Sequence, residues 1–396
     1  MKVIGIIAEY NPFHSGHRYH IEESRKQFPQ EETAVVVVMS GHWVQQANCA
    51  ITDKWQRSKM ALEGGADLVI ELPTLWAMSS AEHFARGAVA LLEGLGCVDA
   101  LSFGSELGDL SALHKGQRAL THKDFPLFLK EELKKPCSFP VARQQAIEKI
   151  LGESCDFLSL PNNILGLSYL DALAYFKSTI VPMTVARKGS GFHEITGESQ
   201  NIHTSATDIR AKLYEGSWNA ASPYLNEVGR NLLKHSALPS LSFCERGIMS
   251  KIMMMTAEAW AKLPDSGTGE GLPHRLEKYG KEAKSVEEFL SLVKTKRYTH
   301  GRLRRLVLWA YLGLQEESQF PPFLRVLGMN GKGREVLQGR TNTLPICTKT
   351  AHIHNFSQEC QKVFAHEVAA TELYGLCFPE IPIRGREWRE KPVLLF

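Results

Sequence analysis

Val3-Ile4-Gly5-Ile6-Ile7-Ala8 carries no polar side chain and is rich in β-branched residues, the pattern of a parallel strand covered on both faces. Similar runs return at Thr33–Met39, Asp67–Leu72, Val98–Phe103 and Ile180–Ala186. Helical periodicity fills the intervals, over His17–Gln27, Asp53–Glu63, Ser80–Leu92, a helical stretch to about Leu151, and Ile164–Phe176. This alternation predicts an α/β fold with a doubly wound, Rossmann-like sheet over residues 1–216. From Ser217 the pattern turns mostly helical, broken by a Gly/Pro-rich loop at Pro264–Pro273, so an α-rich second domain is expected over 217–396. Within it Met253–Met255 reads as helix core, Phe323–Leu327 and Leu344–Cys347 as short strands, and Gln358–Tyr374 as a helix.

Composition adds limits. The 396 residues, 43% hydrophobic, suffice for sizeable cores. No apolar stretch reaches the roughly 18 residues that span a bilayer, and Glu9 interrupts the first one, so a cytoplasmic chain with no membrane partner is expected. The eight cysteines are scattered without a CxxC pair, which predicts reduced, mostly buried thiols. His352, His354 and Cys360 are irregularly spaced, and no metal site is expected from them. A net charge of +3 does not argue for a nucleic-acid partner, but its distribution changes the picture. Lys294, Lys296, Arg297, Arg302, Arg304 and Arg305 fall in one acid-free segment, with Lys332, Arg334 and Arg340 beyond it. The segment suits a phosphate backbone, and equally suits a solvated helix start whose arginines meet acids elsewhere in the fold.

The candidate chemistry lies at the strand ends. After the first strand, Glu9-Tyr10-Asn11-Pro12-Phe13 turns the chain and His14-Ser15-Gly16-His17 opens a helix. Gly16 would let backbone approach a phosphate, the helix N-terminus would offer N–H groups, and two imidazoles three residues apart would bracket the α- and β-phosphates of a nucleoside triphosphate. By itself HxGH is a weak signal that chance surface histidines at His14, His17 and His20 would also give, and its context is what raises it. A second half-signature, Thr204-Ser205-Ala206-Thr207-Asp208-Ile209-Arg210, again sets hydroxyls before a helix. Ser40-Gly41-His42, Gly104-Ser105-Glu106 and Arg187-Lys188-Gly189 follow other strands, and one crevice would collect them. Together these motifs suggest a HIGH-superfamily nucleotidyltransferase.

Gly5–His17, Val38–Gly41, Lys54-Trp55, Lys59–Ala61, Asp67–Pro73, Phe103–Glu106, Pro161–Gly166 and Ser205–Arg210 stand in the order of the bacterial tRNA(Met) cytidine acetate ligase family, which the chain closely resembles. Leu327-Gly328 and Leu344–Ile346 resemble its C-terminal blocks, so the likeness covers nearly the whole chain. The resemblance implies an ATP-dependent ligase: acetate attacks ATP to give acetyladenylate and pyrophosphate, and the acetyl group passes to N4 of the wobble cytidine of elongator tRNA(Met). It implies that His14 and His17 are catalytic, stabilising charge without becoming nucleophiles. By the same resemblance the ATP site comprises Ile7, Ala8, Glu9, Tyr10, Asn11, Pro12, Phe13, His14, Ser15, Gly16, His17, Arg18, Tyr19 and His20, with Gly104, Asn162, Arg187 and Lys188. Ser205 and Thr207 are expected phosphate contacts or helix caps, Asn162 the adenosine contact and Asn163 its neighbouring cap. The tRNA is expected on the basic segment, and no obligatory protein partner is implied. Whether Mg²⁺ joins the ATP stays open, since no compact carboxylate cluster is evident. Two other readings are a small-molecule adenylyltransferase without an RNA substrate and a catalytically idle RNA-binding protein. One loop departs from the family pattern: Gln45-Gln46-Ala47-Asn48-Cys49 replaces a Gln-Arg-Gly-Glu-Pro-like sequence, a change expected to bear on acetyl transfer rather than on ATP binding.

Overall fold

The computed structural model describes residues 1–187, 204–267, 271–315, 318–339, 341 and 343–396. Lys188 and Arg340 therefore lie outside the described residues. The strands are β1 (Lys2–Ala8), β2 (Thr33–Ser40), β3 (Trp43–Val44), β4 (Asn48–Cys49), β5 (Leu68–Leu72), β6 (Ala100–Ser105), β7 (Val181–Ala186), β8 (Leu324–Asn330), β9 (Ile346–Cys347) and β10 (Val393–Leu395). One sheet runs β10-β8-β5-β2-β1-β6-β7, with β9 also beside β8. Its stretch β5-β2-β1-β6-β7 is parallel throughout. Strand order reverses at β1, and the crevice outside the carboxyl ends of β1 and β6 is where such sheets bind ligands.

The central strand shows why the apolar runs are continuous. Every residue of β2 is buried, because Ala34, Val36 and Val38 enter the hydrophobic core on one face while Val35, Val37 and Met39 enter that on the other. Close packing extends to β1, where a Cβ on Gly5 would stand 2.9 Å from Leu92 of the Ala81–Leu95 helix.

Beyond Gly216 the chain is largely helical, but it returns three strands to this sheet. β8 pairs antiparallel with β5, Leu68 opposite Met329 and Ile70 opposite Val326, and β9 and β10 add to β8. The core of Val3, Val36 and Leu101 continues through Trp260, Leu303, Val326 and Phe364. Among the described residues no helix is long and apolar enough to cross a membrane.

Candidate functional site

The Ser15–Lys26 helix starts earlier than its apolar periodicity predicts, because His14 is its N-cap. His14 Nδ1 accepts from the Gly16 N–H at 3.0 Å, and His17 Nδ1 accepts from the His14 N–H at 3.2 Å. The two imidazoles thus form a reciprocal capping box, a task that Ser/Thr and Glu/Gln usually perform. The Gly16 and His14 N–H groups expected to face a phosphate are therefore taken up by the imidazoles. Gly16 has a nearer reason to be glycine, since a Cβ there would sit 2.8 Å from His14 Cε1.

This cap fixes the tautomers by hydrogen-bond logic. A neutral imidazole that accepts at Nδ1 carries its proton on Nε2, so each histidine keeps an Nε2–H donor. Their rings lie 3.8 Å apart, and Tyr10 packs 4.7 Å from His17. Burial, then His14, Arg187 and His20, hold the His17 pKa well below the usual imidazole range. His20, bonded to Ser102 at 2.9 Å, is pushed down to about 4 by burial and then Arg187. Both are neutral at pH 7, so in the free protein they act as dipolar donors beside the Arg187 guanidinium.

Arg187 reaches this cluster from the end of β7. Its N–H bonds the Ser105 carbonyl at 3.0 Å, its Nη1 reaches Asn162 Oδ1 at 3.2 Å, and its chain passes Gly104, where a Cβ would stand 3.4 Å from Arg187 Cγ. Neither asparagine caps the Pro161–Phe176 helix, whose N-cap is Leu160. Glu106 serves instead, accepting from the N–H groups of Asn162 and Asn163 at 3.3 and 3.0 Å and from Asn162 Nδ2 at 2.6 Å. Buried Asn163 returns the bond through Oδ1 to the Glu106 N–H at 3.0 Å and gives Nδ2 to the Phe157 carbonyl. That leaves half-buried Asn162 as the member of the pair nearest Arg187.

The loop after β1 is held from behind. Asn11–Pro12 is cis. Asn11 Oδ1 accepts from the Ile51 N–H at 2.7 Å and its carbonyl from Arg210 Nη1 at 2.7 Å. Glu9 accepts from the Gln45 N–H at 3.0 Å, and burial raises its pKa against the pull of Arg210 and Arg57. Ser205 is an N-cap, bonded to the Asp208 N–H at 3.1 Å, and Thr207 accepts from Arg210 Nη2. Their hydroxyls are thus bound within their own helix start, while Arg210 carries the link to the β1 loop. Sequence reasoning missed Arg57: fully buried, it donates to the carbonyls of Glu9 at 2.6 Å, Ser40 at 3.0 Å and Thr52 at 3.1 Å, and to that of Gly41. An arginine on the apolar face of the Lys54–Glu63 helix was the available signal. Of the remaining expected site residues, Ile7 and Ala8 end β1, Phe13 is buried, Ser15 and Tyr19 are half-buried, and exposed Arg18 pairs with Glu22 at 2.9 Å.

The basic segment divides. Lys294 donates to the Tyr298 carbonyl at 2.7 Å, Arg302 to the Asp265 carbonyl at 2.7 Å, and Arg305 to the Asp265 carboxylate at 3.0 Å, whereas Lys296, Arg297 and Arg304 are exposed. His354 stacks on Trp388, and Cys360 lies 3.1 Å from the Ser357 hydroxyl. Among the described residues no group of three or more His, Cys, Asp or Glu is placed to hold a metal ion.

The family model described as HIGH Nucleotidyl Transferase matches residues 1–387. A Thermoanaerobacter sp. (strain X514) protein named tRNA(Met) cytidine acetate ligase is 36% identical over 98% of each chain, and its namesake from Acetivibrio thermocellus is 36% identical over 100% of both. Thermotoga maritima TmcAL, solved with α-thio ATP, superposes with a TM-score of 0.90 at 30% identity over 100% of both chains. With matched sequence blocks, sheet order and full-length similarity in agreement, the chain belongs to the tRNA(Met) cytidine acetate ligase family of HIGH nucleotidyltransferases.

Proposed function

We propose that the chain activates acetate with ATP and acetylates N4 of the wobble cytidine of elongator tRNA(Met). In the first step an acetate oxygen attacks the α-phosphorus, a P–O bond to pyrophosphate breaks, and acetyladenylate forms. In the second, N4 attacks the acetyl carbonyl carbon, the bond to AMP breaks, and N4 gives up a proton. A carboxylate needs little activation, so the barrier is its approach to an anionic phosphate. The observation that carries this reading is the meeting of the His14–His17 pair and Arg187 where strand order reverses at β1.

In this reading the Nε2–H groups of His14 and His17 donate to phosphate oxygens and Arg187 supplies positive charge. Asn162, already bonded to Arg187, lies toward the nucleoside, and Gly104 keeps that strand end free of a side chain. Burial chiefly holds the His17 pKa down, and a bound polyanion would offset only the further effect of Arg187. Lys296, Arg297 and Arg304 are the members of the basic segment whose exposed side chains would meet tRNA phosphates, and the chain would work in the cytoplasm.

The test is transfer of label from radioactive acetate to unmodified elongator tRNA(Met), with and without ATP and with other tRNAs as controls. ATP-dependent labelling confined to that tRNA is expected. Acetate-dependent pyrophosphate release with no RNA labelling would replace this reading by a small-molecule adenylyltransferase.

A further inference from the structure

A cavity of about 240 Å³ lies beyond the end of β2, one strand over from His14. Its walls include His42, Asp53, Tyr374, Phe378, Arg384 and Arg386. The loops around both places are tied together, since Arg57 bonds the carbonyls of Glu9 and Ser40 and Glu9 bonds the Gln45 N–H. Both places therefore lie at the carboxyl ends of adjacent strands, which neighbour each other about 5 Å apart.

His42 gives the cavity its chemical sign. It is 2% exposed, stacks on Tyr374 at 4.4 Å, and its Nε2, itself buried behind the cavity wall, has no hydrogen-bond partner, so a base reaches it only by displacing part of that wall. Its Nδ1 lies 3.1 Å from Thr371 Oγ1. The Thr371 hydroxyl donates its proton to Glu387, 3.0 Å away, a carboxylate that Lys54 also holds at 2.7 Å. Thr371 can then only accept from His42, which places the imidazole proton on Nδ1 and leaves Nε2 a bare acceptor. A base that presents an amino N–H satisfies that lone pair, while one that presents a carbonyl meets it with another lone pair. Half-buried Phe378 adds aromatic surface for a planar ring. At the same wall stand Arg384, largely exposed and bonded to Glu372 at 2.7 Å, and Arg386, which bonds Asp53 at 3.1 Å.

We propose that this cavity receives the acceptor base, with the N4 amino group of the wobble cytidine donating to His42 Nε2. His42 is thereby a specificity-determining residue that separates cytidine from uridine, and Arg384 takes the adjoining phosphate. The proposal rests on the function proposed above, and its test is read without ATP or acetate so that the two stand or fall separately.

The experiment compares binding of two unmodified anticodon stem-loop RNAs that differ only in cytidine or uridine at the wobble position. The wild-type chain is expected to favour the cytidine form about tenfold, the penalty for one unsatisfied buried acceptor. His42→Phe removes the acceptor, and Ala237→Trp fills the cavity from an exposed position on its wall, where folding is not at stake. Both should bring the ratio close to one. Equal binding of the two RNAs by the wild type, or an undiminished ratio in Ala237→Trp, would overturn the assignment. A wild type that discriminates yet labels no tRNA from acetate would overturn the parent function and leave the cavity a reader of cytosine.

Discussion

Arg305 Nη2 lies 3.0 Å from Asp265 Oδ2, and the Asp265 carbonyl accepts from Arg302 Nε at 2.7 Å. One aspartate thus turns two residues of the basic segment inward. Alanine at Lys296, Arg297 and Arg304 should weaken tRNA binding and flatten its dependence on salt, by up to about 0.9 in the log–log slope for each phosphate no longer neutralised. Alanine at Arg302 and Arg305 should chiefly lower thermal stability. Salt titrations of tRNA binding by the triple and the double variant distinguish the groups, and an equal slope change in both would contradict the division.

His14 unites two tasks that one substitution can separate. Asparagine is a good N-cap, so His14→Asn should keep the helix start within about 0.5 kcal/mol of wild type while removing an Nε2–H donor. Acetate-dependent pyrophosphate exchange should fall on the order of a hundredfold, as for loss of one preorganised donor. His17→Ala should lose exchange similarly but leave tRNA binding nearly unchanged. Parallel loss of exchange and tRNA binding in either variant would refute separate sites.

The depressed His20 pKa sets a direction for acid stability. In the unfolded chain His20 titrates near its ordinary value of about 6.5, whereas in the fold it stays neutral until about pH 4. Between these values the unfolded state binds a proton that the folded state does not, so the contribution is nil above pH 6.5 and increasingly destabilising down to pH 4. His17, shifted the same way, adds to it. Tm should drop across this interval, and less steeply in His20→Asn; an identical slope in that variant would rule His20 out.

Ala47 adopts φ +56° at the turn between β3 and β4, where its N–H bonds the Val44 carbonyl at 2.9 Å. The conformation costs an L-residue about 1–2 kcal/mol that glycine avoids. Ala47→Gly should therefore raise stability by about 1 kcal/mol, read from urea unfolding. A loss of stability would show that the methyl packing outweighs the backbone cost.

Lys54 lies between Glu71 at 2.6 Å and Glu387 at 2.7 Å, with all three side chains at most 1% exposed. Lys54→Met would strand two buried carboxylates, a loss of about 3–5 kcal/mol. Chemical denaturation measures it, and a loss under 1 kcal/mol would mean that water or protons already neutralise the site.

What could be read from the sequence was what adjacent residues decide. The valine run of β2 and the HxGH loop announce themselves because each pattern is local. The antiparallel pairing of β8 with β5 does not, since Phe323–Leu327 reads as a short strand whatever its partner. The same holds for Asp265, which lies 37 and 40 positions from the arginines it holds. Glu106 hid differently: a carboxylate that caps a distant helix leaves no trace beside that helix, so Asn163 next to it looked like the cap. The mutual capping of His14 and His17 was concealed because histidine is seldom used for it.

The addition of β8 beside β5 also sets an order of events during synthesis. About 250 residues separate Leu72 from Leu324, which at roughly 5–20 residues per second leaves the β5 edge unpaired on the ribosome for roughly 10–50 s. Through that interval Lys54 has Glu71 within reach but not Glu387. The first half of the sheet therefore emerges with an open, apolar strand edge and an unfinished buried charge cluster, both completed only when the last fifth of the chain arrives.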